Sequence, residues 1–391
     1  MSSDTPSTRS TTPGETACSD HERRSPAVRP APAPANGRAI GLDVARALAI
    51  AGMVLVNFEL SLTKSAEPSW LAALTSLVQG RASALFVILA GFGIQLMATA
   101  QGDLRRTRVV VLRRALFLAA IGYAFLPLWP ADILHFYALY FVVGAVALGR
   151  SARGLWIGAT IVVVGFLVFG LPVYDRGWNF ETLEYAGLWT LEGSLRNLFL
   201  NGFHPVLPWS AFLLWGMWLA RRYRSGALRG PRPIVVGAAV AVVVELVSRG
   251  LIAAAAGDDD LAALVGTASI PPVPGYMFAA GATATAVLLG CLYLVDERDA
   301  LPHRVLRPLA HTGQLALTLY VAHVVVGIGA FHETGADLTL PETVAWWAGF
   351  CVLAAAASHA YRTFFATGPF EWLLRRAGGR SSPRAPVSRP D

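Results

Sequence analysis

A chain of 391 residues with 54% hydrophobic and only 15% charged side chains falls well short of the about 25% charge of a soluble domain. Its mean hydropathy of +0.51 and repeated apolar runs near the ~20 residues that cross a bilayer exclude a soluble globular fold and indicate an all-α, polytopic integral membrane protein. The net charge of +7 is not the footprint of nucleic-acid binding: the basic residues lie between apolar runs and alternate with acidic loops, the pattern of membrane topology and anionic lipid headgroups.

Residues 1–37 are rich in Ser, Thr, Pro and Ala and read as a disordered cytoplasmic tail. The first apolar run starts too far along to be a cleaved leader and is expected to stay as a signal anchor. Ten transmembrane helices are predicted, at 39–60, 80–98, 109–127, 132–149, 154–173, 203–220, 233–256, 274–295, 309–330 and 342–365, within one unit over 38–377 that a second disordered cytoplasmic tail follows over 378–391. No internal repeat is apparent. Of 32 Lys and Arg residues, 26 fall on one side if the ten helices alternate, which puts both termini in the cytoplasm of a multi-pass plasma-membrane protein. Cys18, Cys291 and Cys351 are scattered, so neither a disulfide framework nor a bound metal is expected.

The first predicted helix carries Asp43, Arg46 and Asn57, spaced 3 and 11 apart and so within about 60° of one face. This set is a functional candidate, or an Asp43–Arg46 pair that neutralises itself for insertion. Arg81 opens the second helix at its outer end, and the GFG at 91–93 reads as a close-packing device, since no strand precedes it. Arg113 and Arg114 sit at the inner end of the third helix, as ligands for phosphate or as snorkelling side chains.

In the fourth segment, PADILHFYALYFVVGAVALGR, Asp132 and His135 are three apart, one turn on one helical face. A carboxylate can hold the imidazole, select its tautomer and raise its basicity for general-base chemistry; Asp132 can equally be a simple helix cap. The outer loop 174–202 mixes Trp178, Tyr185 and Trp189 with Glu184 and Glu192 and should lie along the membrane interface, as an anchor or a lid. His204 begins the sixth helix, and Glu245 and Arg249 in the seventh are in position to pair with each other. His323 lies about 21 Å up the ninth helix, beyond the midplane.

Several stretches resemble one family. RAIGLDVARALAIAGMVLVNF (38–58), DILHFYAL (132–139) and GQLALTLYVAH (313–323) resemble the transmembrane acyltransferases that include heparan-α-glucosaminide N-acetyltransferase and the bacterial YeiB-like proteins, while NGFHPVLPWSAFLLWG (201–216) and GPFEWLLRR (368–376) look more YeiB-like. Ala47 replaces the family's usual Gly, and the loop 61–79 lacks the histidine that the heparan enzyme carries in its first non-cytoplasmic loop. The resemblance implies a membrane acyltransferase that moves an acyl group, typically acetyl, from cytoplasmic acetyl-CoA as co-substrate to an extracytoplasmic glycan or small-molecule acceptor. His135, Asp132, His323 and His204 are then the catalytic candidates. Asp43, Arg46, Asn57, Arg81, Arg113, Arg114 and Tyr320 are the candidates for binding donor or substrate. A transporter or flippase of lipid-linked or acylated sugars is the alternative, although neither paired repeats nor broken helices are evident in the sequence.

Overall fold

Lipid offers no partner to a backbone N–H or C=O, so long apolar runs cross it as helices. The computed structural model, which describes residues 39–62, 69–179, 182–300, 302–329 and 338–379, is nearly all helix. The tails at 1–37 and 380–391 and the loop residues 63–68 lie outside the described residues. The principal helices are α1 (Ile40–Leu62), α2 (Trp70–Ser76), α3 (Arg81–Gln101), α4 (Leu104–Phe125), α5 (Leu134–Ala147), α6 (Ala152–Gly165), α7 (Leu191–Arg196), α8 (Val206–Arg224), α9 (Arg232–Ala254), α10 (Asp259–Val265), α11 (Pro274–Cys291), α12 (His303–Gln314), α13 (Ala316–Ala322), α14 (Leu340–Phe364) and α15 (Pro369–Ala377).

Every predicted segment contains a helix, but six helices are long and apolar enough to cross a membrane, or seven if α12 and α13 make one bent span. The other three, α4, α5 and α8, have physical reasons to fall short. Arg105, Arg106, Arg108, Arg113 and Arg114 crowd the first half of α4, α5 has only 14 residues, and α8 ends in Arg221, Arg222 and Arg224. Helices α5 and α8 are also the most enclosed, with Tyr140, Trp209, Leu213 and Met217 fully buried, whereas only 6% of the α9 span and 11% of the α14 span are covered by protein. The shortfall thus has a local cause in each helix, arginines in α4 and α8 and length in α5, and not burial alone, since α1 and α3 pass although 67% and 61% of their spans are covered by protein.

Two glycines set the central crossing of α3 on α8. A Cβ at Gly91 would stand 2.0 Å from the Leu213 carbonyl oxygen, and one at Gly216 would stand 2.1 Å from that of Ile88, so the two backbones touch. Helix α1 is anchored from several sides: Asp296 accepts from the amides of Ile40 (2.9 Å) and Gly41 (3.0 Å), and the Trp347 indole donates to the Ala51 carbonyl (2.8 Å).

Three features depart from the sequence reading. The ninth predicted helix is not continuous: it bends by 66° between α12 and α13 at Leu315. Glu371 of α15 closes that break, accepting from the amides of Leu317 (2.8 Å) and Thr318 (3.0 Å) and from the Thr318 hydroxyl (2.5 Å). Glu245 pairs with Arg81 of α3 rather than with Arg249, and its second oxygen accepts from Thr267 at 3.0 Å. The fold also contains a small antiparallel ladder, β1 (Trp178–Asn179) on β2 (Glu184–Tyr185), in the connection between α6 and α7. There Asn201 donates to the carbonyls of Val173, Tyr174 and Arg176 and accepts from the Tyr185 hydroxyl, stitching the loop into a folded cap.

Gly91→Ala should force α3 off α8 and cost the about 1–3 kcal/mol of an overpacked core, read as a lowered unfolding midpoint in detergent. Gly93→Ala, where an added Cβ meets nothing within 4 Å, should leave that midpoint unchanged.

Candidate active site

The segment between α4 and α5 holds two prolines, Pro127 and Pro130, which prevent the helix from running on. Asp132 follows them just ahead of α5 and is completely buried. Its Oδ2 accepts from the amides of Leu134 (2.8 Å) and His135 (3.2 Å) and lies 3.0 Å from His135 Nδ1; its Oδ1 accepts from the Tyr320 hydroxyl at 3.0 Å. The two readings of Asp132 are therefore one arrangement: a single carboxylate caps the helix and holds the imidazole. With a carboxylate opposite Nδ1, the ring proton belongs on Nδ1 and the lone pair on Nε2. Nε2 is buried with no hydrogen-bond partner, as a base waiting for a substrate proton would be.

Tyr320 extends this network to α13, since its hydroxyl also accepts from the Ile133 amide at 3.1 Å. One turn further along, His323 is fully buried, 5.0 Å from Tyr320 between ring centroids, and its Nε2 accepts from the Asn57 amide group at 2.8 Å. The lone pair of His323 is thus occupied while that of His135 is free. His204 lies on the other side of Phe136 from His135, packed on Trp209 with ring centroids 4.5 Å apart, and its carbonyl accepts from the Tyr140 hydroxyl at 2.5 Å.

A cavity of about 330 Å³ lies between α1, α3, α4, α5, the α12–α13 break and α15, with Arg46, Arg114 and Arg375 in its wall together with Gln314, Phe86 and Tyr137. Met97 and Phe86, both on its wall, are eleven residues apart on α3, so the cavity runs about 16 Å along that helix. Asp43, buried, binds Arg46 at 2.5 Å through one oxygen and the Gln314 amide at 2.9 Å through the other. This reach depends on Gly313, where a Cβ would sit 1.8 Å from the Asp43 carbonyl oxygen. A second cavity, of about 780 Å³, lies between Pro127 and Pro130 on one side and Trp178, Glu184, Tyr185 and Trp189 on the other.

The structure divides the predicted set. Asp43, Arg46 and Arg114 gather at the first cavity. Asn57 shares a helix with Asp43 and Arg46 but belongs to the histidine cluster. Arg81 is engaged by Glu245 and reaches neither cavity, and Arg113 lies outside the wall, against Gly379. Among the described residues no group of three or more His, Cys, Asp or Glu side chains comes together to hold a metal. Sequence reasoning did not single out Gln314, Arg375, Glu371 or Tyr137. The i, i+4 spacing of Glu371 and Arg375 was the available signal that one face of the last helix turns toward the bundle.

A model of the family described as heparan-alpha-glucosaminide N-acetyltransferase, catalytic, matches residues 38–250, and a model of a family of unknown function, DUF418, matches residues 228–380. The uncharacterized protein YxaH of Bacillus subtilis (strain 168) is 24% identical over 86% of this chain and 93% of its own length.

Tyr320→Phe would leave a buried carboxylate oxygen and the buried Ile133 amide each short of a partner. A loss of about 1–3 kcal/mol is expected, measured as a lower unfolding midpoint of the purified protein in detergent.

Proposed function

Because the chain belongs to the heparan-alpha-glucosaminide N-acetyltransferase catalytic family, we propose that it transfers an acyl group, in the first instance acetyl, from cytoplasmic acetyl-CoA to a hydroxyl or amine on an extracytoplasmic glycan or small molecule. The observation that carries this reading is the Asp132–His135 dyad with its free Nε2, in a bundle whose long cavity has arginines in its wall. In this proposal the protein makes ten passes through the plasma membrane with both termini cytoplasmic. Helices α4, α5 and α8 complete the count, α5 and α8 largely enclosed by the other helices and α4 with Val109, Leu112 and Leu116 exposed on its outer face.

On that topology Arg46 and Arg114 lie toward the cytoplasm, where guanidinium groups bind phosphates bidentately, and Asp43 orients Arg46. Arg375 joins them from the last helix. The narrow, largely apolar cavity beyond takes an extended thioester arm and keeps water from it. The acceptor arrives from the outer side, beneath the cap formed by the 174–202 loop. His135 Nε2 takes its proton as the acceptor oxygen or nitrogen bonds to the acyl carbon. The C–S bond then breaks and the thiolate leaves with the proton. His323, its Nε2 held by Asn57, is the alternative base, and His204 is a neighbour that shapes the pocket.

One observation favours a second reading. A helix broken at Leu315 beside a polar cavity is an element that transporters use, and a flippase of lipid-linked sugars would use it without bond chemistry. Reconstituted protein given labelled acetyl-CoA separates the two: label on an added acceptor supports transfer, whereas an absence of both donor binding and hydrolysis supports transport.

His135→Ala should keep donor binding and lose the ~10²–10⁴ in rate that a positioned base supplies, with Asp132→Asn falling between it and the parent. Arg46→Lys retains charge but not the bidentate fork, so acetyl-CoA affinity should fall. For the topology, Asp259→Cys should react with an impermeant thiol reagent in intact cells and Ser225→Cys should not; the reverse pattern refutes it.

A further inference from the structure

Three polar atoms on the wall of the arginine-bearing cavity are buried without a hydrogen-bond partner: Arg114 Nε, Gln314 Oε1 and the Tyr137 hydroxyl, of which the last belongs to a side chain with no other polar atom. Tyr137 is 4% exposed, and its hydroxyl has no hydrogen-bond partner. Tyr140, Tyr276 and Tyr320, buried in the same core, each have one: the His204 carbonyl at 2.5 Å, the Gly80 carbonyl at 2.9 Å and Asp132 at 3.0 Å. Burying a hydroxyl unpaired is unfavourable, and an orphaned hydroxyl beside two orphaned atoms on one cavity wall calls for a partner that the chain itself does not supply. The ring cannot swing away to find one, because it is wedged among Phe86 (centroids 5.5 Å apart), Tyr140 (5.4 Å) and Phe141 (6.4 Å).

Its position is specific. Arg46 and Arg114 come from the cytoplasmic halves of their helices on the proposed topology, whereas Tyr137 is in the first turn of α5, level with the Asp132 cluster, on a wall they share. A donor whose phosphates meet the arginines and whose arm follows the cavity brings its thioester to this hydroxyl. We infer that the Tyr137 hydroxyl donates a hydrogen bond to the thioester carbonyl oxygen of the donor and stabilises the oxyanion formed there during transfer. The inference deepens the acyltransfer reading and rests on it. As the acceptor's oxygen or nitrogen adds to the acyl carbon, the carbonyl π electrons move onto the oxygen facing Tyr137. The acceptor's proton goes to His135 Nε2. The oxyanion then re-forms the carbonyl, the C–S bond breaks, and the thiolate receives that proton.

The test is Tyr137→Phe in the full-length reconstituted protein, a change that keeps the ring and removes only the orphaned oxygen. Acetyl-CoA binding and the unfolding midpoint should match the parent, KM for acetyl-CoA should change little, and kcat should fall ~10²–10³-fold, as on removal of an oxyanion donor. Unchanged kcat in Tyr137→Phe overturns the inference, and so does a raised KM with kcat intact, which assigns the hydroxyl to uniform donor binding. A parent protein that binds no acetyl-CoA removes the acyltransfer reading itself, a result distinct from either of those.

Discussion

A helix interrupted within a membrane protein must have its freed backbone groups satisfied by protein, and at Leu315 that requirement is met by one carboxylate. Glu371 takes the amides of Leu317 and Thr318 and the Thr318 hydroxyl. The bend it closes turns α13 away from the line of α12, and α13 with the helical turn that follows it carries Tyr320 to Asp132 and His323 to Asn57. On the near side of the bend, Gln314 reaches Asp43, and with Gly313 it forms part of the cavity wall. Both polar centres of the bundle therefore depend on the same interruption, one on each side of it.

Asp132 shows how a buried charge is tolerated at such a centre. An ionised carboxylate removed from water is costly unless its oxygens are hydrogen-bonded. Here four donors converge on it: two amides of the first turn of α5, the His135 ring and the Tyr320 hydroxyl. The helix terminus itself favours negative charge. The same interactions that hold the carboxylate also fix the ring of His135, so stability and chemical readiness share one set of bonds.

What was legible in the sequence was local. Asp132 and His135 lie three residues apart, Asp43 and Arg46 likewise, and in both cases the spacing alone brings the groups together. The positions of the helices were readable because each is built on a run of apolar residues, whether that run is covered by protein, as in α1, or bare, as in α9. What was not legible depended on distant partners. Asn57 points along the face it shares with Asp43, yet its partner is His323, 266 residues away. Glu245 had a suitable cation one turn off at Arg249 and pairs instead with Arg81. The bend at Leu315 has no proline or glycine at the break itself, and its stabilising group lies in a different helix, 53 residues beyond Thr318. Tyr137 looked like one more aromatic in an apolar run, because a missing partner is a property of surroundings and leaves no trace in composition.

The order in which the chain is made gives α1 a particular problem. Its polar residues are among the first to enter the membrane, but Asp296, Gln314 and His323, which engage Ile40, Asp43 and Asn57, lie 256, 271 and 266 residues downstream. At ~5–20 residues per second of synthesis, those partners emerge on the order of tens of seconds later. The contact between Asp43 and Arg46 is what α1 can form alone during that interval, so the pair serves first as the helix's own counter-ion and only afterwards as part of a cavity wall. Glu371 is made later still, which means that neither polar centre can be complete until α15 has been synthesised.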